Sequence, residues 1–326
     1  MLGEGNFSFA AAMAVRHPSL ALTASSLESE ADSRALWGAA PALAALDAAG
    51  NATRLHGVDA TRLEASPLAG QHFDRVLFTF PHGGAKGRIH VNRALLAGFA
   101  RSVAAAGVLA PGGAVECCLA AGQGGTPVDG EALRAAPGDS WQLGLQAAEG
   151  GLVLAAAEAF DDDAWRSLGY ASAGCWRGLG RPQPTREHGF RARAGVCHTL
   201  LPEGSPGAVS PWPARFELDI SLWVGGDRWP AALAADAGAA QALADAVAAA
   251  ARAAVGADAV AGASVVNLWV RPADGRTSLC VRLHYCSAAR AMTQARAVAM
   301  HDAVRAALPA ALPVQLRTRA DALQTA

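Results

Sequence analysis

Apolar positions in the first part of the chain come as short runs of strand length, separated by longer stretches in which they recur at helical spacing. Phe9 to Arg16 reads as a short helix and Leu20 to Ala24 as a brief strand. Ser25-Ser26-Leu27-Glu28 then caps the next helix, with a carboxylate at the strand's C-terminal end. Thr53 to Val58 is a third element, ending in Asp59-Ala60-Thr61. Phe73 to Phe80 is almost continuously apolar, as expected of a central parallel strand covered on both faces. A helix from about His90 to Ala106, a strand from Gly113 to Leu119, a helix near Trp141 to Glu149 and strands near Leu152 to Phe160 and Phe190 to Leu200 complete the series. The alternation predicts a doubly wound α/β sheet. Its ligand should lie at the carboxyl ends of the strands, where Gly3, Glu28, Asp59 and Pro81 fall.

The pattern changes after Leu200. Residues 201–214 are rich in proline and glycine and read as a linker. Beyond it, Arg215 to Val224 alternates as a strand, and Leu243, Val247, Ala251 and Val255 form one helical face. Val260 to Val270 and Ser278 to Tyr285 make two strands around Asp274-Gly275, Ala288 to Ala307 a helix, and Val314 to Arg317 a last strand. The order β-α-β-β-α-β predicts a ferredoxin-like sandwich. Two domains are therefore expected, residues 1–200 and 211–317.

Composition narrows this picture only a little. The chain has 326 residues with a formal charge of −1, which marks neither half as a polyanion-binding domain by charge alone. Lys86 is the sole lysine, so the abundance of arginine reflects coding bias as readily as phosphate recognition. The Ala-rich run from Ala231 to Ala263 is cut by Asp236, Gln241, Asp245, Arg252 and Asp258, so no membrane span and no membrane partner is expected. Six cysteines without a C-x-x-C pair or a secretory signal imply free thiols in a reducing compartment. The scattered histidines lack ligand spacing, so no metal site is expected.

Candidate chemistry starts at Gly3-Glu4-Gly5-Asn6-Phe7-Ser8-Phe9. Two glycines one residue apart, opening a helix, let the main chain approach a nucleotide-like ligand that the N–H groups of the first turn face. Spacing alone suits an ordinary loop equally well. This turn, together with Gly57-Val58-Asp59-Ala60-Thr61 and with Phe73-Asp74-Arg75 leading to Phe80-Pro81-His82, closely resembles the signatures of the large-subunit rRNA (uridine-N3) methyltransferase-like domain. Gly122-Gln123-Gly124-Gly125-Thr126-Pro127 followed by Ser140-Trp141-Gln142 is similar to one branch of that family, in which the domain is fused to a ferredoxin-fold anticodon-binding domain. Residues 219–224 and 278–285 look like that second domain. The family carries an apolar strand directly ahead of its Gly-Glu-Gly-Asn turn. Only Met1 and Leu2 stand there in this sequence, so a truncated first strand and an upstream continuation of the coding sequence are expected. Thr79 occupies the position where the family usually has asparagine.

The resemblance implies a Rossmann-like class I fold that binds S-adenosylmethionine through Gly3, Glu4, Gly5, Asn6, Phe7 and Ser8. Glu28 would accept from the ribose hydroxyls and Asp59 from the adenine amine. Read without the family, Glu28 is a helix N-terminal acid and Asp59 a cap. The implied activity is methylation of uridine N3 in structured RNA, rRNA or tRNA. His82 would act as the base, and Thr79 and the Pro81 carbonyl would hold the base edge. Read without the family, His82 is a loop histidine after a strand, kept for turn geometry with Pro81 and Gly83. The adjacent Cys117 and Cys118 lie in an apolar strand and read as packing. Arginines from Arg166 to Arg193, interleaved with Trp165, Tyr170, Trp176 and Phe190, suit RNA or a solvated loop equally. On the second domain Arg276, Arg282 and Arg317 are the candidate RNA contacts. The rival to the enzyme is a non-catalytic RNA-binding adaptor. The cytoplasm is the expected location, with the nucleolus as alternative.

Overall fold

The computed structural model describes residues 1–83, 88–129, 140–172, 195–225, 229, 233 and 238–317. The chain divides into two compact units, Met1–Trp212 and Pro213–Ala326. In the first, α1 (Ser8–Arg16), β1 (Leu22–Ser25), α2 (Glu30–Trp37), α3 (Ala40–Ala49), β2 (Ala52–Leu55), β3 (Phe73–Thr79) and α4 (Ile89–Ala106) are followed by β4 (Leu109–Ala120), α5 (Leu143–Ala148), β5 (Leu152–Ala159), α6 (Asp162–Ser167) and β6 (Gly195–Pro202).

Two hydrogen-bonded sheets result, one of parallel β1 and β2 and one ordered β3-β4-β6-β5. Residues 1–4 stitch them together. Leu2 N donates to Leu77 O at 2.8 Å, Ser25 N to Met1 O at 2.9 Å and Glu4 N to Ser25 O at 2.9 Å, so the extreme N-terminal residues lie between β1 and β3. The spatial order therefore runs β2-β1-(1–4)-β3-β4-β6-β5, with β6 antiparallel to both its neighbours.

Side-chain alternation explains why helices cover both faces. Val115, Cys117 and Leu119 of β4 join Val76 and Phe78 of β3 beneath Leu96, Phe99 and Val103 of α4, whose i, i+3, i+4 spacing forms one apolar stripe. Cys118 points the other way, into a cluster with Phe9, Ala12, Phe160 and Tyr170. The short helices α2, α3 and α6 lack a long periodic signal, which is why the hydrophobic pattern alone passes over α3 and α6. Ser29, rather than Ser25 or Ser26, caps α2 by accepting from Asp32 N.

One expectation is overturned. Cys118 and Cys197 form a disulfide, so the cysteines are not all free thiols. The two residues face each other across the antiparallel β4–β6 pair with Cα atoms 4.0 Å apart, a proximity that a sequence separation of 79 residues hides. Cys117 is buried and free, and burial raises its thiol pKa. The basic stretch beyond Ser172 lies outside the described residues up to Ala194.

The second unit contains β7 (Arg215–Val224), α7 (Gly238–Val255), β8 (Val260–Val270), β9 (Thr277–Cys286), α8 (Gln294–Ala311) and β10 (Val314–Leu316). The sheet order is β10-β7-β9-β8, antiparallel throughout, which is the ferredoxin-like arrangement. Ile220, Leu222, Leu279, Val281 and Leu283 pack against Leu243, Val247 and Val304. On the opposite face Glu217 and Asp219 are exposed, whereas Trp223 and Ser278 are buried. Thr293 caps α8 by accepting from Arg296 N, which starts that helix later than the pattern around Ala288 suggests. Among the described residues, no helix is long and apolar enough to cross a membrane.

Candidate active site

The carboxyl ends of the parallel strands bring together most of the residues singled out above. Gly3 and Glu4 follow the Leu2 bridge to β3, Glu28 follows β1, Asp59 follows β2, and Phe80, Pro81 and His82 follow β3. The ends of β1 and β2 are tied by Gly57 N to Glu28 O and by Val58 N to Ser26 O. The two candidate carboxylates therefore stand on adjoining loops.

The glycine turn is built for close approach. Gly3 has φ +69°, and a Cβ there would lie 2.7 Å from Cε2 of Phe78, so only glycine fits without displacing a core ring. Glu4 is 6% exposed and accepts from Ala10 N at 3.2 Å. Burial pushes its carboxyl up to about 7, against the opposing pulls of that N–H and of the nearby Met1 ammonium. A buried carboxylate that already draws on one ammonium offers the same charge to a ligand's ammonium group, and the turn beside it leaves the backbone accessible. The residues present thus fit the amino-acid part of S-adenosylmethionine.

The other members of the turn have partners within the protein. Phe7 adopts φ 59°, is fully buried and packs with Ala10, Leu43 and Leu46, its ring centroid 5.2 Å from that of His56. Its side chain belongs to the core, so contact with a cofactor could come only from its backbone. Asn6 Nδ2 and Ser8 Oγ both donate to Ala171 O, at 2.8 and 2.9 Å, and Ser8 Oγ accepts from Ala171 N at 3.0 Å. Asn6 and Ser8 thereby pin the turn to the segment after α6. Tyr170, in that segment, packs on Phe9 and Phe160, and burial with the nearby Glu4 charge raises its hydroxyl pKa. Sequence reasoning missed this strap because Ala171 contributes only backbone.

After β1, Glu28 Oε2 accepts from Ser26 Oγ at 2.8 Å. Asp59 Oδ1 accepts from Thr61 N at 2.8 Å and from Thr61 Oγ1 at 2.7 Å, so Asp59 caps the turn after β2 and presents a carboxylate fixed in direction. Thr79 ends β3 opposite Cys118, and Phe80 takes φ 51° with its N–H bonded to Cys118 O at 2.7 Å. That left-handed residue turns the chain sharply out of the strand and presents Pro81 and His82 at the sheet edge.

His82 meets Trp141 edge-on, ring centroids 5.9 Å apart, and partial burial lowers its pKa below the ordinary histidine value. Its loop is held by Gly83 N donating to Asn92 Oδ1 at 2.8 Å. Trp141 is placed by its own N–H on Gln123 O at 2.7 Å, and by Arg93, whose Nε and Nη2 donate to Ser140 O at 3.1 and 2.6 Å. The tract after β4 and the segment from Ser140 therefore form the wall beside His82. Their two sequence signatures hinted at it, but Arg93 carried no signal.

Of the three arginines proposed for RNA in the second unit, Arg282 is committed to Asp219 and Glu217, with Nε 2.8 Å from Asp219 Oδ1. Asp219 accordingly falls below the usual carboxylate range. Arg276 and Arg317 lie over the Trp223 ring, at 4.6 and 5.3 Å from its centroid.

Fold and site together define a class I α/β methyltransferase-like unit joined to a ferredoxin-like unit. A family model described as rRNA (uridine-N3-)-methyltransferase BTM5-like matches residues 1–174, more than half the chain, and the protein belongs to this BMT5-like family. Ferredoxin-fold anticodon-binding domain-containing protein 1 homolog of Mus musculus is 39% identical over 177 residues, 53% of this chain and 28% of that protein. Its Homo sapiens counterpart is 40% identical over the same length and shares. Heavy metal-associated isoprenylated plant protein 41 of Arabidopsis thaliana is 42% identical over 108 residues, 30% of this chain and 21% of that protein. The match thus spans little more than a quarter of the mammalian relatives. The N-terminal unit is an S-adenosylmethionine-dependent rRNA (uridine-N3) methyltransferase-like domain.

Proposed function

We propose that this chain methylates N3 of a uridine in structured RNA, with S-adenosylmethionine as donor and the ferredoxin-like unit gripping the RNA. The reading is supported above all by the convergence at the strand ends of the Gly3–Gly5 turn, the buried Glu4, the carboxylates Glu28 and Asp59, and a histidine whose pKa burial lowers. When bound, the cofactor supplies an electrophilic methyl group. The chain's own residues do the rest.

Glu4 and the backbone of the turn orient the amino-acid end, while Glu28 and Asp59 offer charge-assisted acceptors to hydroxyl and amine donors. The N3 atom of uracil becomes nucleophilic only when its proton leaves. His82, with its pKa lowered by burial, is unprotonated at neutral pH and can accept that proton. Trp141 braces the His82 ring from the side, and Thr79 and the Pro81 carbonyl edge the space next to it. The mammalian relatives are named for anticodon binding, and a tRNA or rRNA substrate suits a ferredoxin-like unit joined to the methyltransferase-like one.

Calorimetric titration of the full chain with S-adenosylmethionine separates enzyme from adaptor. Saturable binding that Asp59→Ala weakens about tenfold or more, the loss of a hydrogen bond to a charged group, is expected. No heat at millimolar cofactor, with RNA still bound, would make the protein an adaptor.

A further inference from the structure

The Cys118–Cys197 bridge lies directly behind the turn that carries His82. Thr79, the last residue of β3, stands opposite Cys118 of β4, and Cys118 stands opposite Cys197 of β6. Phe80 N then donates to Cys118 O at 2.7 Å, so the residue that swings Pro81 and His82 out of the strand hangs from the main chain of a bridged cysteine. The side chains meet as well. Both cysteines share a cluster with Phe9, Phe80, Phe160 and Tyr170, in which the Phe80 and Phe160 rings lie edge to face with centroids 5.0 Å apart.

Phe80 holds φ 51°, a left-handed conformation that is costly for a bulky residue and persists only where its surroundings fix it. Here the hydrogen bond to Cys118 O and the packing of the ring on Phe160 both fix it. Two thiols in van der Waals contact need more room than a bonded pair, and a close-packed cluster supplies it only by moving its members. Opening the bridge therefore presses on the Phe80 ring and shifts Cys118 O, the acceptor of its N–H. Cys118 is 4% exposed whereas Cys197 is only partly buried, so a reductant meets the Cys197 sulfur first. Cys117, one residue away, faces the other side of the sheet among Val76, Leu96 and Phe99 and cannot take over as partner.

We propose that Cys118 and Cys197 are positioning residues for His82, and that a dithiol reductant switches methyl transfer off by opening their bridge. A thiolate of the dithiol attacks Cys197 Sγ, the S–S bond breaks, and its electron pair leaves on Cys118 Sγ, which takes up a proton. The second thiolate of the dithiol then displaces Cys197, which is protonated in turn. The protein gains two electrons and two protons, and the dithiol departs as its cyclic disulfide. The inference rests on the reading that His82 serves methyl transfer, and adds the element that holds it in place and the chemistry that releases it.

The test follows the full chain with the bridge closed, after reduction with dithiothreitol, and after reoxidation with the oxidised form of the same reagent. Hydrogen exchange read amide by amide by NMR should show Phe80 exchanging about tenfold faster or more once the bridge is open. Phe73, bonded to Val108 O at the other end of the β3–β4 pair, should be unchanged. Single-turnover methyl transfer to transcribed rRNA or tRNA should fall roughly 10- to 100-fold on reduction, the cost of misplacing a catalytic group by about an ångström, with S-adenosylmethionine affinity held within about twofold. Reoxidation should restore the rate. Cys197→Ser should match the reduced parent in both readouts and ignore the reductant. Protection lost at Phe73 as much as at Phe80 would make the bridge a brace of the whole unit and overturn the proposal. Equal rates in both redox forms, or a Cys197→Ser chain that still responds to reductant, would overturn it too, and leave the methyl-transfer reading standing. Loosening confined to Phe80 with no methyl transfer from either form supports the positioning role and counts against the methyl-transfer reading instead.

Discussion

Glu4→Gln should uncouple cofactor affinity from pH while stabilising the free protein. In the free chain burial pushes the Glu4 carboxyl up to about 7, against the pulls of Ala10 N and of the Met1 ammonium, which burial itself lowers to about 6. If the cofactor's ammonium pairs with the ionised form, binding releases a proton, and affinity rises with pH until Glu4 is already ionised. Linkage then gives about a tenfold gain between pH 6 and pH 8, about fivefold of it below pH 7. The stability term has the opposite sign. An acid whose folded pKa is raised contributes its full stability below the unfolded value, 4.5, and loses it as pH rises through about 7. The ionised carboxylate therefore costs the free protein about 3 kcal/mol at pH 8, at order-of-magnitude precision. Gln keeps the shape and the bond from Ala10 without the charge. Calorimetry in two buffers of different ionisation enthalpy counts the released protons, and urea melts at pH 5 and pH 8 read the stability. Affinity that is flat from pH 6 to pH 8, or a Glu4→Gln protein that keeps the pH slope, would refute the reasoning.

Three other outcomes follow from the same geometry. His82→Gln should abolish methyl transfer and leave cofactor binding within about twofold, and the parent's rate should rise through a pKa below 6.5 and then stay level through neutral pH, as single-turnover profiles would show. Gly3→Ala should destabilise the first unit by about 2–3 kcal/mol in urea unfolding, because it combines a left-handed φ with a clash against Phe78, itself packed on Phe99 at 4.7 Å. Reduction of Cys118–Cys197, or Cys118→Ser, should cost about 2–4 kcal/mol, since the bridge closes a loop of 79 residues. A non-reducing peptide map that finds both thiols free would contradict the bridge.

Much of the fold was legible because periodicity reports burial. Residues 73–79 and 215–224 are strands whose partners demand continuous or alternating apolar positions, and the pattern located both closely. That Gly3, Glu28, Asp59 and Pro81 gather at the strands' carboxyl ends was legible from the α/β alternation, whereas the roles given to them and to His82 came from the family resemblance, residue type alone fitting a cap or a loop. The candidate site was not legible where the partner is backbone or distant in sequence. Ala171 holds Asn6 and Ser8 through main-chain atoms, and Cys197 reaches Cys118 only because β6 enters the sheet beside β4. Arg282 looked like Arg276 in sequence. Only the β7–β9 register, which sets Asp219 opposite it, shows that its charge is already matched.

The central claim is most directly tested by the identity of the methylated atom. The full chain is incubated with S-adenosylmethionine carrying a trideuterated methyl group and with transcribed rRNA and tRNA, the RNA is digested to nucleosides, and the products are separated and weighed. The account predicts a trideuterated N3-methyluridine that is absent when His82→Gln replaces the parent. Label on a carbon atom or on another nucleoside, or no label from a chain shown to bind both RNA and cofactor, would contradict it.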